Sequence, residues 1–171
     1  MNKQKILFVS DSLDLTTGFS VVTRNLIKIL SDKYDCRCFC MVEHKPIRQF
    51  PIQYIHTSSS NLQDEFQYAI NNFKPDLVIS VNDIWRLAFM ADVKIETPFR
   101  WLAYIPVEGE NFPKKVEWGG KWINLSALLS YAESKIAYSN FGAIELEKVG
   151  IKVDGFVYHG VDTSIFRMRS E

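Results

Sequence analysis

Two glutamates, Glu108 and Glu110, flank a glycine in a loop that follows an apolar run. A carboxylate at the edge of a cleft works as a general base once burial raises its pKa, so these two are the catalytic candidates. The competing reading makes both of them ordinary solvated loop acids. A second group, Asp83, Trp85 and Arg86, follows another apolar run; Asp83 and Arg86 could hydrogen-bond a polar ligand and Trp85 could stack on a ring. Against that stand a surface ion pair of little worth and a core tryptophan. In Thr16-Thr-Gly18-Phe19-Ser20 a strand hands over to a helix, where free amides and the positive dipole end favour a phosphate or hydroxyl. Gly18 there lets a ligand approach the backbone, or simply permits a turn. His159 and Gly160 close the last apolar run, with a structural imidazole bonded to neighbouring backbone as the favoured role for His159 and ligand contact second.

Familiar motifs fail on particular residues. A phosphate-binding loop needs Gly-Lys-Ser/Thr, but Gly119-Gly-Lys121 is followed by Trp122. A dinucleotide fingerprint needs three spaced glycines after the first strand, and residues 11–20 hold only Gly18. No Gly-x-Ser-x-Gly elbow occurs. Asp11 would need a second aspartate two residues on to serve as a phosphatase nucleophile, and Leu13 stands there. Cys36, Cys38 and Cys40 alternate with period two, which suits reduced thiols on one face of a strand rather than metal ligands. No metal site is expected, and His44 and His56 carry no signal.

The elements that must position these residues read clearly in places. Lys5–Ser10 and Asp76–Ser80 are continuous apolar runs, the pattern of strands buried on both faces. Phe19, Val22, Leu26, Ile29 and Leu30 recur at helical spacing, as do Leu62, Phe66, Ala69, Ile70 and Phe73 behind an Asn61 cap, up to Lys74-Pro75. Further strands are expected at Cys36–Val42, Ile52–Ile55, Phe99–Ile105, Lys135–Tyr138 and Phe156–Tyr158. Residues 46–51, with Pro46 and Pro51, read as a loop, 57–61 as a turn and 111–120 as irregular. Helices are expected over Trp122–Tyr131 and, capped by Ser139, through Val149 to Gly150. Strands alternating with helices make parallel β-α-β units, so the fold class is α/β: a Rossmann-like open parallel sheet with helices on both faces. Ligands of such sheets sit beyond the carboxyl ends of the strands, which adds Tyr104 and Ser139 to the binding candidates. Trp118 and Trp122 are expected in the core.

Composition bounds the rest. The chain has 171 residues, of which 47% are hydrophobic and 23% charged, enough for one domain with a proper core. Net charge is zero and the basic residues are scattered, which argues against a nucleic-acid partner. No apolar run approaches the ~18 residues of a membrane span, and Ile6–Val9 is too short for a signal peptide. A cytoplasmic location is expected, with peripheral attachment to a membrane left open.

In order along the chain, Thr17-Gly-Phe-Ser20 before a helix, Lys74-Pro-Asp-Leu-Val-Ile79, Ala137-Tyr-Ser-Asn140 and Val157-Tyr-His-Gly-Val-Asp162 through Phe166 resemble the amino-terminal half of the GT-B glycosyltransferases of family 4. That resemblance implies a two-domain enzyme transferring a sugar from a nucleotide-diphosphate sugar to an acceptor hydroxyl. Residues 1–171 would be its acceptor-side domain, inactive alone, with no cofactor of its own; the donor-binding carboxyl-terminal domain would be absent from this sequence. Partners would be that domain and a sugar, glycan or lipid acceptor. Gly18, Phe19 and Ser20 would face the donor phosphates. Many relatives carry a histidine in the loop after the strand ending at Ile105; here Glu108 and Glu110 occupy that loop. Exposed apolar residues at the open cleft, Phe19, Ile84 and Trp85, would favour a homodimer of the isolated domain. The alternative is a stand-alone Rossmann-like binding or regulatory domain without catalysis.

Overall fold

The computed structural model describes residues 3–41, 53–55 as backbone, 61–161, 163 and 166. The expected 46–51 loop, the turn over 57–60, His44, His56 and Asp162 lie outside them. The strands are β1 (Lys5–Ser10), β2 (Asp35–Cys40), β3 (Gln53–Ile55), β4 (Leu77–Val81), β5 (Trp101–Ile105), β6 (Lys115–Trp118), β7 (Lys121–Asn124), β8 (Ser134–Ala137) and β9 (Gly155–Phe156). The helices are α1 (Gly18–Leu30), α2 (Leu62–Phe73), α3 (Ala88–Glu96), α4 (Leu125–Leu129) and α5 (Asn140–Lys148), with a short 3-10 turn over Ile84–Leu87.

Seven strands form one sheet in the order β3-β2-β1-β4-β5-β8-β9, every pairing parallel. This is the α/β Rossmann-like architecture, with helices on both faces. From β1 the chain steps outward to β2 and β3, then returns to β4 on the other side of β1. The direction of travel therefore reverses between β1 and β4, which opens a crevice beyond their carboxyl ends.

Side-chain alternation explains which helix lies where. Leu7 and Val9, Val78, Trp101, Ala103 and Ile105 point to the face covered by α2, α3, α4 and α5. On the opposite face, Ile6 and Phe8, the three cysteines, Ile79, Val81, Leu102, Tyr104 and Ile136 meet, among the described helices, only α1. The cysteines are free and buried there as small apolar groups, and burial raises the thiol pKa of Cys36 and Cys38. Trp101 is 1% exposed and donates its indole N–H to Ser80 Oγ at 2.9 Å, which satisfies the polar end of the largest core side chain.

Four expectations need correcting. Residues 111–120 and Trp122 onward form not a loop and a helix but the β6–β7 hairpin followed by the short α4. Gly119 and Gly120 have φ of +58° and +74°, the turn geometry that aligns two twisted strands, so Trp122 and Ile123 pair as strand residues. Trp118 and Trp122 are 50% and 71% exposed rather than in the core. Helix α3 was not expected: Phe89, Met90, Ala91 and Val93 are buried, but its exposed side sets Ile95, 65% exposed, between Asp92 and Glu96, so its apolar residues mark no clean period. Asn61 stands at the α2 cap without a side-chain bond, while Lys74, left-handed at φ 53°, ends that helix before Pro75.

Candidate functional site at the strand reversal

β1 and β4 are stitched together at their carboxyl ends. Ser10 Oγ donates to the Val81 carbonyl at 3.1 Å, and Thr23 of α1 donates to Ser10 Oγ at 2.8 Å. The next residue, Asp11, is 5% exposed, and a carboxylate so buried must be paired. Its Oδ2 accepts from Thr17 Oγ1 at 2.9 Å. Its Oδ1 accepts from Asn82 Nδ2 at 3.1 Å and from Arg86 Nη1 at 3.2 Å. Asn82 Oδ1 in turn accepts from Arg86 Nη1 at 3.0 Å and from the Asp83 amide at 2.9 Å. Asp11 and Asn82, from opposite sides of the crevice, thus fix one guanidinium nitrogen. Nε and Nη2 have no partner among the described residues and can donate to a ligand.

The loop beneath is held by its own side chains. Arg24 donates to the Leu13 and Leu15 carbonyls at 2.6 Å each, and Thr17 caps α1 by accepting from the Ser20 amide. Gly18 is exposed, with nothing within 4 Å of where a Cβ would stand, so the backbone at the helix start is open to close approach. Ser20 is fully buried and donates to the Ser12 carbonyl at 2.8 Å; its hydroxyl is engaged inside the protein.

Across the crevice the charges are uneven. Burial raises the pKa of half-buried Asp83; Arg86 opposes that, while the negative charges of Glu108 and Asp11 add to it. Tyr138 is pushed up in pKa by burial and by its neighbours Tyr104, Asp83 and Glu108. Its hydroxyl is buried with no hydrogen-bond partner among the described residues. Such an orphaned group costs about 1–3 kcal/mol unless something completes it. Tyr104 donates to the Val157 carbonyl at 2.7 Å, and its ring, that of Tyr138 and His159 pack together at centroid distances of 4.2 to 5.6 Å. Burial lowers the His159 pKa.

Placed against the sequence expectations, Asp83, Arg86, Tyr104, Glu108 and His159 gather at the carboxyl ends of β4, β5, β8 and β9. Glu110, exposed, acts instead on Lys148 of α5. Ser139 Oγ is engaged as the α5 cap, accepting from the Gly142 amide at 3.0 Å. Trp85 is half-buried against the core, Phe19 half-buried on α1 against the opposite-face core, and Gly160 exposed. Ile84, expected to be open for self-association, is 1% exposed because its turn points it inward; exposed apolar surface lies instead on Val21, Ile29 and residues 156–158. Asp11, Asn82 and Tyr138 are the site residues that the sequence reading missed. The available signal was position: a carboxylate directly after the first strand and an amide directly after the fourth flank the reversal. Among the described residues no cluster of three or more His, Cys, Asp or Glu could hold a metal ion, and no helix is long and apolar enough to cross a membrane.

No family model matches the chain, and no curated protein matches it. Among solved structures, an alpha-glucosyltransferase in complex with UDP and a mismatched 13-mer DNA superposes with a TM-score of 0.54 at 10% identity, over 83% of this chain and 38% of that one. The Bordetella bronchiseptica enzyme WbmG in complex with NAD gives 0.49 at 10% identity, over 80% of this chain and 52% of that one. UDP-glucose 4-epimerase from Brucella ovis gives 0.46 at 12% identity, over 78% and 50%. The chain thus spans about half or less of the structures it resembles, and the glucosyltransferase superposition shows a shared fold.

Proposed function

We propose that this chain is the acceptor-side domain of a GT-B glycosyltransferase, which moves a sugar from a nucleotide-diphosphate donor to an acceptor hydroxyl. The observation that carries the reading is the Arg86 guanidinium, pinned through Nη1 by Asp11 and Asn82 at the strand reversal, with its other nitrogens unpartnered among the described residues. In the proposal the Gly18 amide faces the donor phosphates across a cleft and offsets charge on the leaving diphosphate. A second, donor-binding domain completes the site. Arg86 orients acceptor hydroxyls. Asp83, whose raised pKa makes it a stronger base than an exposed carboxylate, takes the acceptor proton, and Glu108 supports it through its field. The superposition with a glucosyltransferase agrees with this reading. A dinucleotide role fits less well: the loop after β1 carries one glycine and is filled by Asp11, Ser12 and Leu13, all buried.

The test is a titration of isotope-labelled chain with methyl glucoside and, separately, with NAD, read by amide chemical shifts. The expected result is saturable movement of Asp83, Arg86, Tyr138 and His159 with the glycoside, abolished in Arg86→Ala. Saturable movement of the 11–20 amides with NAD, or release of UDP from UDP-glucose by this chain alone, would overturn the proposal.

A further inference from the structure

The β6–β7 hairpin is rigid at its root and bare at its tip. Val116 and Ile123, directly opposite each other, pack on the core, and the Leu125 amide donates to the Lys114 carbonyl at 3.1 Å. The loop leading into it is anchored where the Asn111 amide donates to buried Glu145 at 3.0 Å. Beyond that root the ribbon presents Trp118 and Trp122, 50% and 71% exposed, around the Gly119–Gly120 turn. Lys114, Lys115 and Lys121 stand exposed beside them against a single acid, Glu117. A chain of zero net charge thus concentrates positive charge and its two most exposed tryptophans on one protrusion.

We propose that this hairpin docks the protein on an anionic lipid bilayer, with Trp118 and Trp122 at headgroup depth and the three lysines against the lipid phosphates. Indole rings favour that depth because one edge is apolar and the N–H stays hydrated. Each lysine near a negative leaflet strengthens partition roughly five-fold, so three against one acid give a modest, salt-sensitive attachment. The register argues against a sugar platform: Trp122 pairs with Glu117 and Trp118 with Lys121, so the rings emerge on opposite faces of the ribbon. Trp118 adjoins the turn and Trp122 stands two residues past it, so the two flank the tip. The inference is independent of the transferase reading, although β6 packs beside the 84–87 turn that carries Arg86 and docking would hold the crevice at the membrane surface.

The experiment is flotation of the chain with phosphatidylcholine vesicles, with and without phosphatidylserine, at low and high salt. Indole quenching by brominated lipid is measured in parallel. Wild type is expected to float with the anionic vesicles at low salt, to be released by high salt, and to be quenched. The double variant Trp118→Ala/Trp122→Ala should lower the bound fraction by about ten-fold and abolish quenching; Lys115→Glu/Lys121→Glu should do the same to binding without changing the circular dichroism spectrum. Equal flotation of wild type and both variants, no flotation at all, or tip-dependent binding to duplex DNA or to a second copy of the chain instead of vesicles would each overturn the proposal.

Discussion

Asp11 shows how one side chain sets the state of several others. Its buried carboxyl group is tolerable only because Thr17, Asn82 and Arg86 surround it. Arg86→Ala should therefore cost about 1–3 kcal/mol in urea unfolding, by leaving a buried carboxylate without its cation. Asp11→Asn combined with Arg86→Ala should recover most of that loss; an additive double variant would show that the two do not act as a pair. Asp83 behaves in the opposite sense. Its pKa is raised from the ordinary 3.8 by burial first, so the folded chain holds that proton more tightly than the unfolded one. Stability therefore falls as pH rises through the folded value, and the penalty is absent well below 3.8. Asp83→Asn should raise the thermal midpoint at neutral pH, with the gain fading toward about pH 3. In the transferase reading the same change should depress turnover of the assembled enzyme, the trade expected where a strained charge serves a reaction. An unchanged midpoint at neutral pH would mean that the carboxylate is solvated after all.

At the scale of elements, α1 matters most because its first turn supplies both a cap and a ligand for Asp11. Thr17→Ala should cost about 1 kcal/mol for the cap, and Thr17→Ser should restore it, as read by denaturant midpoints. α1 and α2 were legible because each has one apolar stripe with polar residues opposite, and β1 and β4 because their runs are apolar without alternation. α3 was not: its exposed side carries Ile95 between Asp92 and Glu96, so apolar residues fall on both sides of the helix and blur a period of 3.6. The hairpin hid for another reason. Gly119-Gly120 was read as an interruption, whereas two glycines between short runs rich in tryptophan and β-branched residues also mark a two-residue turn. Its geometry gives a prediction of its own: Gly120→Val, forced into φ of +74°, should destabilise the chain by about 1 kcal/mol or more. It should also weaken vesicle binding by splaying the tip, while the equivalent change at Gly109 should alter neither.

For the molecule as a whole, the strand order decides where surface is left over. Every connection that carries the chain from β3 back to β4 and on to β9 runs over one face, so α2 to α5 accumulate there and, among the described helices, only α1 covers the other. The repeating strand-helix pattern announced a parallel sheet, but it does not encode which way the chain turns after the third strand. Neither the Asp11–Asn82 crevice nor this imbalance could be read from it. The imbalance leaves a groove of about 660 Å³ floored by Ile79, Leu102 and Ile136 and walled by α1 and residues 157–161, with Lys28 at its rim. A parallel sheet is normally buried on both sides, so an apolar floor open to water is unusual, and the volume lies within the roughly 300–1,000 Å³ of small-molecule sites. An anionic naphthalene dye such as ANS should therefore fluoresce on binding the native chain. Its stoichiometry should be near one, because apolar floor and cationic rim match the dye's two halves. Partly unfolded protein also lights up ANS, and it is distinguished by loss of the near-ultraviolet dichroism that packed aromatic side chains give. Ile29→Glu, at an exposed position on the groove wall, should weaken the dye several-fold while leaving that dichroism intact. Dye binding that persists in Ile29→Glu, or that appears only as the dichroism fades, would place the open apolar surface elsewhere.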